Sequence, residues 1–131
     1  MGQGRLRFVV VAWTMLAVLV LSSCGFKRQL VSITVIPNTV TLEGSGLNLQ
    51  FKAVGNYIHP PDSRDITKSV VWQSAATDVV SIMATGLATS GNVCGTNITI
   101  TGTGHRDPHD SSSGVVVGTA AVTVKLPGCT S

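Results

Sequence analysis

The sequence predicts an all-β protein with one domain, built as a two-sheet antiparallel sandwich. Two observations lead to this prediction. The part of the chain that begins at Cys24 is rich in Thr, Val, Ser and Gly, which is the composition of strands and turns. Short segments in which apolar and polar residues alternate recur at roughly ten-residue spacing, with Gly and Pro between them. The part of the chain after residue 23 is long enough for one sandwich-sized core.

The predicted strands follow this alternation along the chain. They cover residues 32–35, 40–42, 47–53, 70–72, 79–83, 87–88, 98–100 and 115–124. The segment 47–53 is typical, because four apolar residues alternate there with three polar ones in the period of a half-buried strand. No segment shows a helical period of useful length.

The same pattern predicts loops and a core. Residues 55–68, which are polar and contain two prolines, are predicted to form one loop, and the Gly- and Ser-rich residues 102–114 are predicted to form another. Phe51 and Trp72 are the predicted centre of the core, because both are large aromatic residues at inward-facing strand positions.

Residues 1–23 are predicted to be a secretory signal peptide that is cleaved from the domain. Arg5 and Arg7 give a basic start, and an apolar run follows from Phe8 to Leu21. This run is 14 residues long, which is short of the ~20 residues that a membrane-spanning helix needs. We therefore exclude it from the fold.

The end of this segment, Leu21-Ser22-Ser23-Cys24, resembles the lipobox of bacterial lipoproteins. The resemblance implies cleavage after Ser23 and lipidation of Cys24, so that residues 24–30 would tether the domain to a membrane. The residue after the cysteine is Gly25. In bacteria with two membranes, lipoproteins without Asp at this position are usually carried to the outer membrane, so the resemblance implies that location there. The alternatives are an ordinary signal peptide with an incidental cysteine and a retained membrane anchor.

The two other cysteines, Cys94 and Cys129, are predicted to form a disulfide. Export places both thiols in an oxidising compartment, where a remaining pair is expected to be bridged. A metal-binding pair and two free thiols are the competing interpretations. The loop that the bridge would close is long enough to stabilise the domain by roughly 4 kcal/mol on the chain-entropy model.

Several short motifs resemble the bacterial immunoglobulin-like domain of group 2. They include Asp65-Ile66-Thr67, Val70-Val71-Trp72 and Gly86-Leu87-Ala88-Thr89, and the match covers about residues 30–125. The resemblance implies an immunoglobulin-like sandwich over residues 31–126, followed by a tail at 127–131. It further implies an extracytoplasmic spacer, adhesion or carbohydrate-associated module, and it implies no catalytic residues.

The candidate binding residues lie in the two predicted loops. His105, Asp107 and His109 could ligate a metal such as zinc, but the Gly- and Ser-rich flanks favour a solvated hairpin loop, so that no metal or other cofactor is expected. Tyr57 and His59, beside two prolines, could form a small aromatic platform for a sugar or peptide, or simply cover one end of the sandwich.

An enzyme is not expected. The serines at 111–113 beside His109 and Asp110 supply the residue types of a hydrolytic triad, but neighbouring loop residues rarely reach its geometry.

Charge excludes a nucleic-acid partner and gives no case for steering to an acidic membrane surface. After residue 23, seven Lys and Arg residues stand against six Asp and Glu residues, and the cations are scattered.

The sequence therefore predicts a non-enzymatic, lipid-anchored cell-envelope protein whose domain makes structural or adhesive contacts with an envelope protein or a surface glycan. The alternative is a small carbohydrate- or peptide-binding accessory lipoprotein.

Overall fold

A computed structural model describes residue 25 and residues 27–129, and within them the protein is all-β with no helix. The predicted signal peptide and Cys24 lie outside the described residues. The strands are β1 (Gln29–Ile36), β2 (Thr39–Glu43), β3 (Asn48–Gln50), β4 (Lys52–Ile58), β5 (Asp62–Asp65), β6 (Val71–Ser74), β7 (Val80–Ile82), β8 (Leu87–Ser90), β9 (Gly95–Asp107) and β10 (Asp110–Lys125). The all-β prediction is confirmed.

The strands form three hydrogen-bonded sheets, with orders β1-β4-β5, β2-β10-β9-β6 and β3-β8-β7. This arrangement is consistent with a β-sandwich, but it differs in two ways from the predicted two-sheet antiparallel one. A third, small sheet is present, and β2 pairs with β10 in parallel. β1 and β2 are one segment that passes from the first sheet to the second at Pro37. Proline has no N–H to donate to a sheet ladder, so the pairing of β1 ends there. β2 then runs beside β10 in the same direction.

Phe51 marks a second change of sheet. Residues 47–53 were predicted as one strand, but β3 pairs with β8 and β4 pairs with β1. At Phe51, between the two strands, the backbone N–H donates instead to the carbonyl of Gly86, at 2.8 Å. The alternation of side chains continues through the break, and so Phe51 and Ala53 are both fully buried.

One hydrophobic core connects the three sheets. It is formed by Leu30, Ile33, Val35, Leu42, Phe51, Ala53, Ile66, Val70, Trp72, Val79, Val80, Ala88, Ile100, Ala120, Val122 and Val124. Phe51 is 0% exposed and Trp72 is 7% exposed, and their ring centroids are 6.2 Å apart. Leu30 is 2% exposed, and so the folded domain begins within the segment 24–30 that the sequence assigned to a tether.

The two predicted loops are largely strands, so this part of the prediction is wrong. Most of 102–114 belongs to the long hairpin of β9 and β10, and β4 and β5 form a hairpin within 55–68. Gly102 and Gly118 are cross-strand partners in the long hairpin. A Cβ on Gly118 would lie 2.5 Å from the carbonyl oxygen of Ile33, and one on Gly102 would lie 3.3 Å from the Trp72 ring. Glycine is therefore needed here for close packing and not for a turn.

The predicted disulfide between Cys94 and Cys129 is confirmed. The two Cα atoms lie 6.3 Å apart, within the range that a disulfide spans. Cys94 precedes β9 and Cys129 follows β10, so that the bridge fastens the end of the last strand to the start of the strand beside it.

Replacing Trp72 by Ala is expected to destabilise the domain by about 3–5 kcal/mol, because the indole fills the centre of the core. The matched control is Val71→Ala, since Val71 is the preceding residue on the same strand but is 62% exposed; it is expected to change the stability by less than about 0.5 kcal/mol. Chemical denaturation of both variants measures the difference. Equal effects would contradict the strand register, because a shift by one residue exchanges the two faces.

Removing the disulfide by replacing both cysteines with Ala is expected to cost up to about 4 kcal/mol, because the bridge restricts the unfolded chain. Reduction of the unmodified protein is expected to lower its denaturation midpoint to that of the double variant. A reductant should not change the midpoint of the double variant. Two alkylatable thiols in the denatured, non-reduced protein would show that the bridge is absent.

Candidate functional site

The first candidate surface is one end of the sandwich, where three distant segments of the chain meet. They are residues 27–28 before β1, the turn 59–61 between β4 and β5, and the turn 108–109 between β9 and β10. Pairing of Gln29 with Ile58 brings the first two together, and a cleft of about 270 Å³ lies between the first and the third. We call this surface the histidine end. Its charged and titratable residues are Lys27, Arg28, His59, Asp62, Arg64, His105, Arg106, Asp107, His109 and Asp110.

Arg28 is the most constrained cation of the histidine end. Its guanidinium carbon lies 5.9 Å from the centre of the Tyr57 ring, which is within cation–π range. Its Nε is buried and has no hydrogen-bond partner among the described residues. A buried donor in this state is costly. The Arg28 side chain lines the 270 Å³ cleft together with Lys27, Asp107, Pro108 and His109.

The acidic residues of the histidine end are engaged with close neighbours. Asp62 forms a salt bridge of 2.6 Å with Arg64, and the hydrogen bond from Arg64 lowers the pKa of the Asp62 carboxyl. Asp110 accepts hydrogen bonds from the hydroxyl and the N–H of Ser112, which lower the pKa of Asp110, and the charge of Lys27 adds a smaller effect. Asp107 accepts a hydrogen bond from the N–H of His109, at 2.9 Å.

These bonds give the surroundings of the residues that the sequence analysis considered, without favouring them, for metal binding and catalysis. Asp107 holds the turn, His105 lies on the exposed face of β9, and His109 is exposed in the turn. In the part of the chain that the structure describes, no group of three or more His, Cys, Asp or Glu side chains is arranged to hold a metal ion. The hydroxyl of Ser112 donates to Asp110, and the hydroxyl of Ser113 accepts the N–H of Asp107.

The second candidate surface is the outer face of the sheet β2-β10-β9-β6. We call it the threonine face, and its residues are Thr39, Thr41, Val71, Gln73, Thr99, Thr101, Thr103, Val115, Val117, Thr119, Ala121 and Thr123. None of these residues is charged, but on the same face His105 lies beside Val115 at one edge, and Glu43 lies beside Lys125 at the other. Val71, Thr103 and Val117 form one row across three strands, in which the two valines are 62% and 50% exposed. Cross-strand threonine pairs stabilise the sheet, and the exposed valines leave apolar area that another surface can cover.

The third candidate is a depression of about 460 Å³ beside β4, with Lys52, Asp65, Thr67 and Lys68 among its lining residues. Its centre is a hydrogen-bond network. Asp65 accepts the hydroxyl and the N–H of Thr67, at 2.6 and 3.0 Å, and these bonds lower the pKa of the Asp65 carboxyl, with Lys52 contributing less. The Thr67 hydroxyl in turn accepts the N–H of Ala53, and the Thr67 carbonyl accepts the indole N–H of Trp72.

Sequence reasoning found the members of the histidine end without finding the surface. Lys27 and Arg28 were assigned to a tether, and His59 and His105 to separate loops. The only signal that could have joined them is strand order, because Lys27 and His109 are 82 residues apart in sequence. The threonine face was missed because period-2 alternation shows that one side of a strand is exposed, but not which exposed sides form one surface.

Replacing Thr67 by Val is expected to destabilise the domain by about 1–3 kcal/mol, because the buried N–H of Ala53 would lose its acceptor. Thr67→Ser is the matched control, since it keeps the hydroxyl and is expected to retain most of the stability. Denaturation midpoints of the two variants measure the contribution of the hydroxyl. A Val variant as stable as the Ser variant would show that the network does not hold β4 to the segment before β6.

No protein-family model matches the chain, and no curated protein matches it. In the described residues no helix is long and apolar enough to cross a membrane.

Proposed function

We propose that the protein is a lipid-anchored protein of the bacterial cell envelope, whose single immunoglobulin-like domain makes structural or adhesive contacts. The observation that carries the proposal is the short distance in sequence between the lipobox and the fold. β1 begins at Gln29, five residues after Cys24, and Leu30 is already part of the core. Almost the whole chain after the proposed cleavage site therefore belongs to one β-domain held close to its anchor.

The immunoglobulin-like assignment is supported by what the resembling motifs do. Asp65 and Thr67 tie β4 to the segment before Trp72, and Ile66 is a core residue. Gly86 has a φ of 81°, which favours glycine, and its carbonyl accepts the N–H of Phe51 where the chain changes sheet. These motif residues stabilise the fold, which is what we expect of a module that serves as a scaffold.

The threonine face supports a contact function. It is a broad surface on a regular sheet, uncharged between its two edges, and its row of Val71, Thr103 and Val117 offers apolar area without a charge that must be desolvated. We propose this face as the contact surface for an envelope protein or a surface glycan.

A carbohydrate- or peptide-binding accessory lipoprotein is the second candidate. The depression beside β4 favours it, because Lys52, Asp65 and Lys68 present charges around a concave surface of a size suited to a small polar ligand. Saturable binding on a glycan array would favour this function, whereas a partner crosslinked through residues of the threonine face in intact envelopes would favour the first.

Replacing Cys24 by Ser is expected to abolish membrane attachment, because the thiol is the group that would carry the acyl chains. The variant should accumulate as an unprocessed or released protein that no longer partitions into detergent. Ser45→Ala is the control, since it changes an exposed turn residue and leaves both the lipobox and the disulfide intact. Unchanged detergent partitioning of the Cys24 variant would refute the lipid anchor.

A further inference from the structure

The histidine end is the part of the domain that the chain holds nearest to the proposed anchor. Lys27 is three residues after Cys24. Because an extended chain spans at most about 3.6 Å per residue, the Cα of Lys27 cannot lie more than about 11 Å from that of Cys24. If Cys24 carries lipid, the histidine end must therefore lie within reach of the lipid headgroups.

The charges of the domain are distributed unevenly in the same direction. Lys27, Arg28 and Arg106 have no salt-bridge partner among the described residues, whereas the fourth cation of the histidine end, Arg64, is paired with Asp62. All three histidines of the chain also lie at this end. At the opposite end of the sandwich, Lys125 pairs with Glu43, and Asp78 precedes Val79, which packs at Gly95 beside Val124, so that the acidic residues there are in excess.

The cleft of the histidine end is suited to a phosphate group. Lys27, Arg28 and His109 offer it three nitrogen-bearing side chains, and Asp107 is the one carboxylate in its lining. One Asp107 oxygen is occupied by the N–H of His109. The guanidinium of Arg28 lines the cleft and has no salt-bridge partner among the described residues, so that its charge can pair with an anion there.

We propose that the histidine end docks on the anionic headgroups of the membrane that holds the anchor, with a lipid phosphate in the cleft of Lys27, Arg28 and His109. This inference rests on the proposed function, since the lipid anchor supplies the high local concentration of headgroups. The attraction extends over about one Debye length, 8–10 Å, which matches the short tether.

Hydrogen exchange of the full mature protein on vesicles tests the proposal. The protein is extracted from membranes, its Cys24 peptide is checked for acylation by mass, and it is reconstituted into neutral phosphatidylcholine vesicles or into vesicles with about one-third phosphatidylglycerol. We expect the peptide covering residues 105–113 to exchange at least about threefold more slowly on the anionic vesicles. The peptide covering the Gly44–Gly46 turn, at the opposite end, should exchange equally on both.

Two variants form a matched pair for this experiment. Lys27→Glu should abolish the protection on anionic vesicles, whereas Lys125→Glu should retain it, since both lysines are exposed but lie at opposite ends. Equal exchange of an acylated protein on both vesicle types would overturn the docking and leave the anchor in place. An unmodified Cys24 would overturn the anchor as well. Protection by inorganic phosphate on neutral vesicles would show a site for a soluble anion and overturn the membrane proposal.

Discussion

The fold depends on how Trp72 is held in the core. Its ring packs against Phe51, its N–H donates to the carbonyl of Thr67, and the absence of a side chain on Gly102 leaves room for the indole against β9. These contacts join the point where β3 becomes β4, the segment after β5, and the long hairpin. A domain with so few aromatic residues has no second side chain of this size at the junction of its sheets. Loss of the indole would therefore loosen all three sheets together.

Strand positions could be predicted from the sequence because side-chain alternation depends only on the local chain. The inward residues Ile33, Val35 and Val122 and the short strands near 80 and 88 follow from it. The loop predicted at 102–114 was wrong because Gly102 and Gly104 are typical of a turn in composition, whereas in the structure they are strand residues that leave room for the side chains of Trp72 and Ile33. The parallel pairing of β2 with β10 could not be predicted either, because side chains alternate in the same way in parallel and antiparallel strands.

The candidate surfaces show the same division between local and non-local information. The cysteine pair could be predicted because the chain after Cys24 contains two cysteines and one pairing. The histidine end could not, because it exists only when Gln29 pairs with Ile58 and the long hairpin extends to His109. Arg28 illustrates the difference: in sequence it is a residue of a basic dipeptide, whereas in the structure its Nε is buried beside Tyr57 and a cleft.

The two proposed surfaces are compatible because one is an end of the sandwich and the other is the face of a sheet whose long strands run to that end. The long strands β9 and β10 run between the two ends of the sandwich. Their turn lies at the histidine end, and their other ends lie near the disulfide. If the histidine end rests on the headgroups, these strands stand upright on the membrane. The threonine face on their outer side then points sideways, along the plane of the membrane. Docking then fixes the direction in which the threonine face points, which lowers the orientational cost of meeting a partner anchored in the same membrane. A short tether with cations beside it is consequently better suited to lateral contacts than a long flexible one would be.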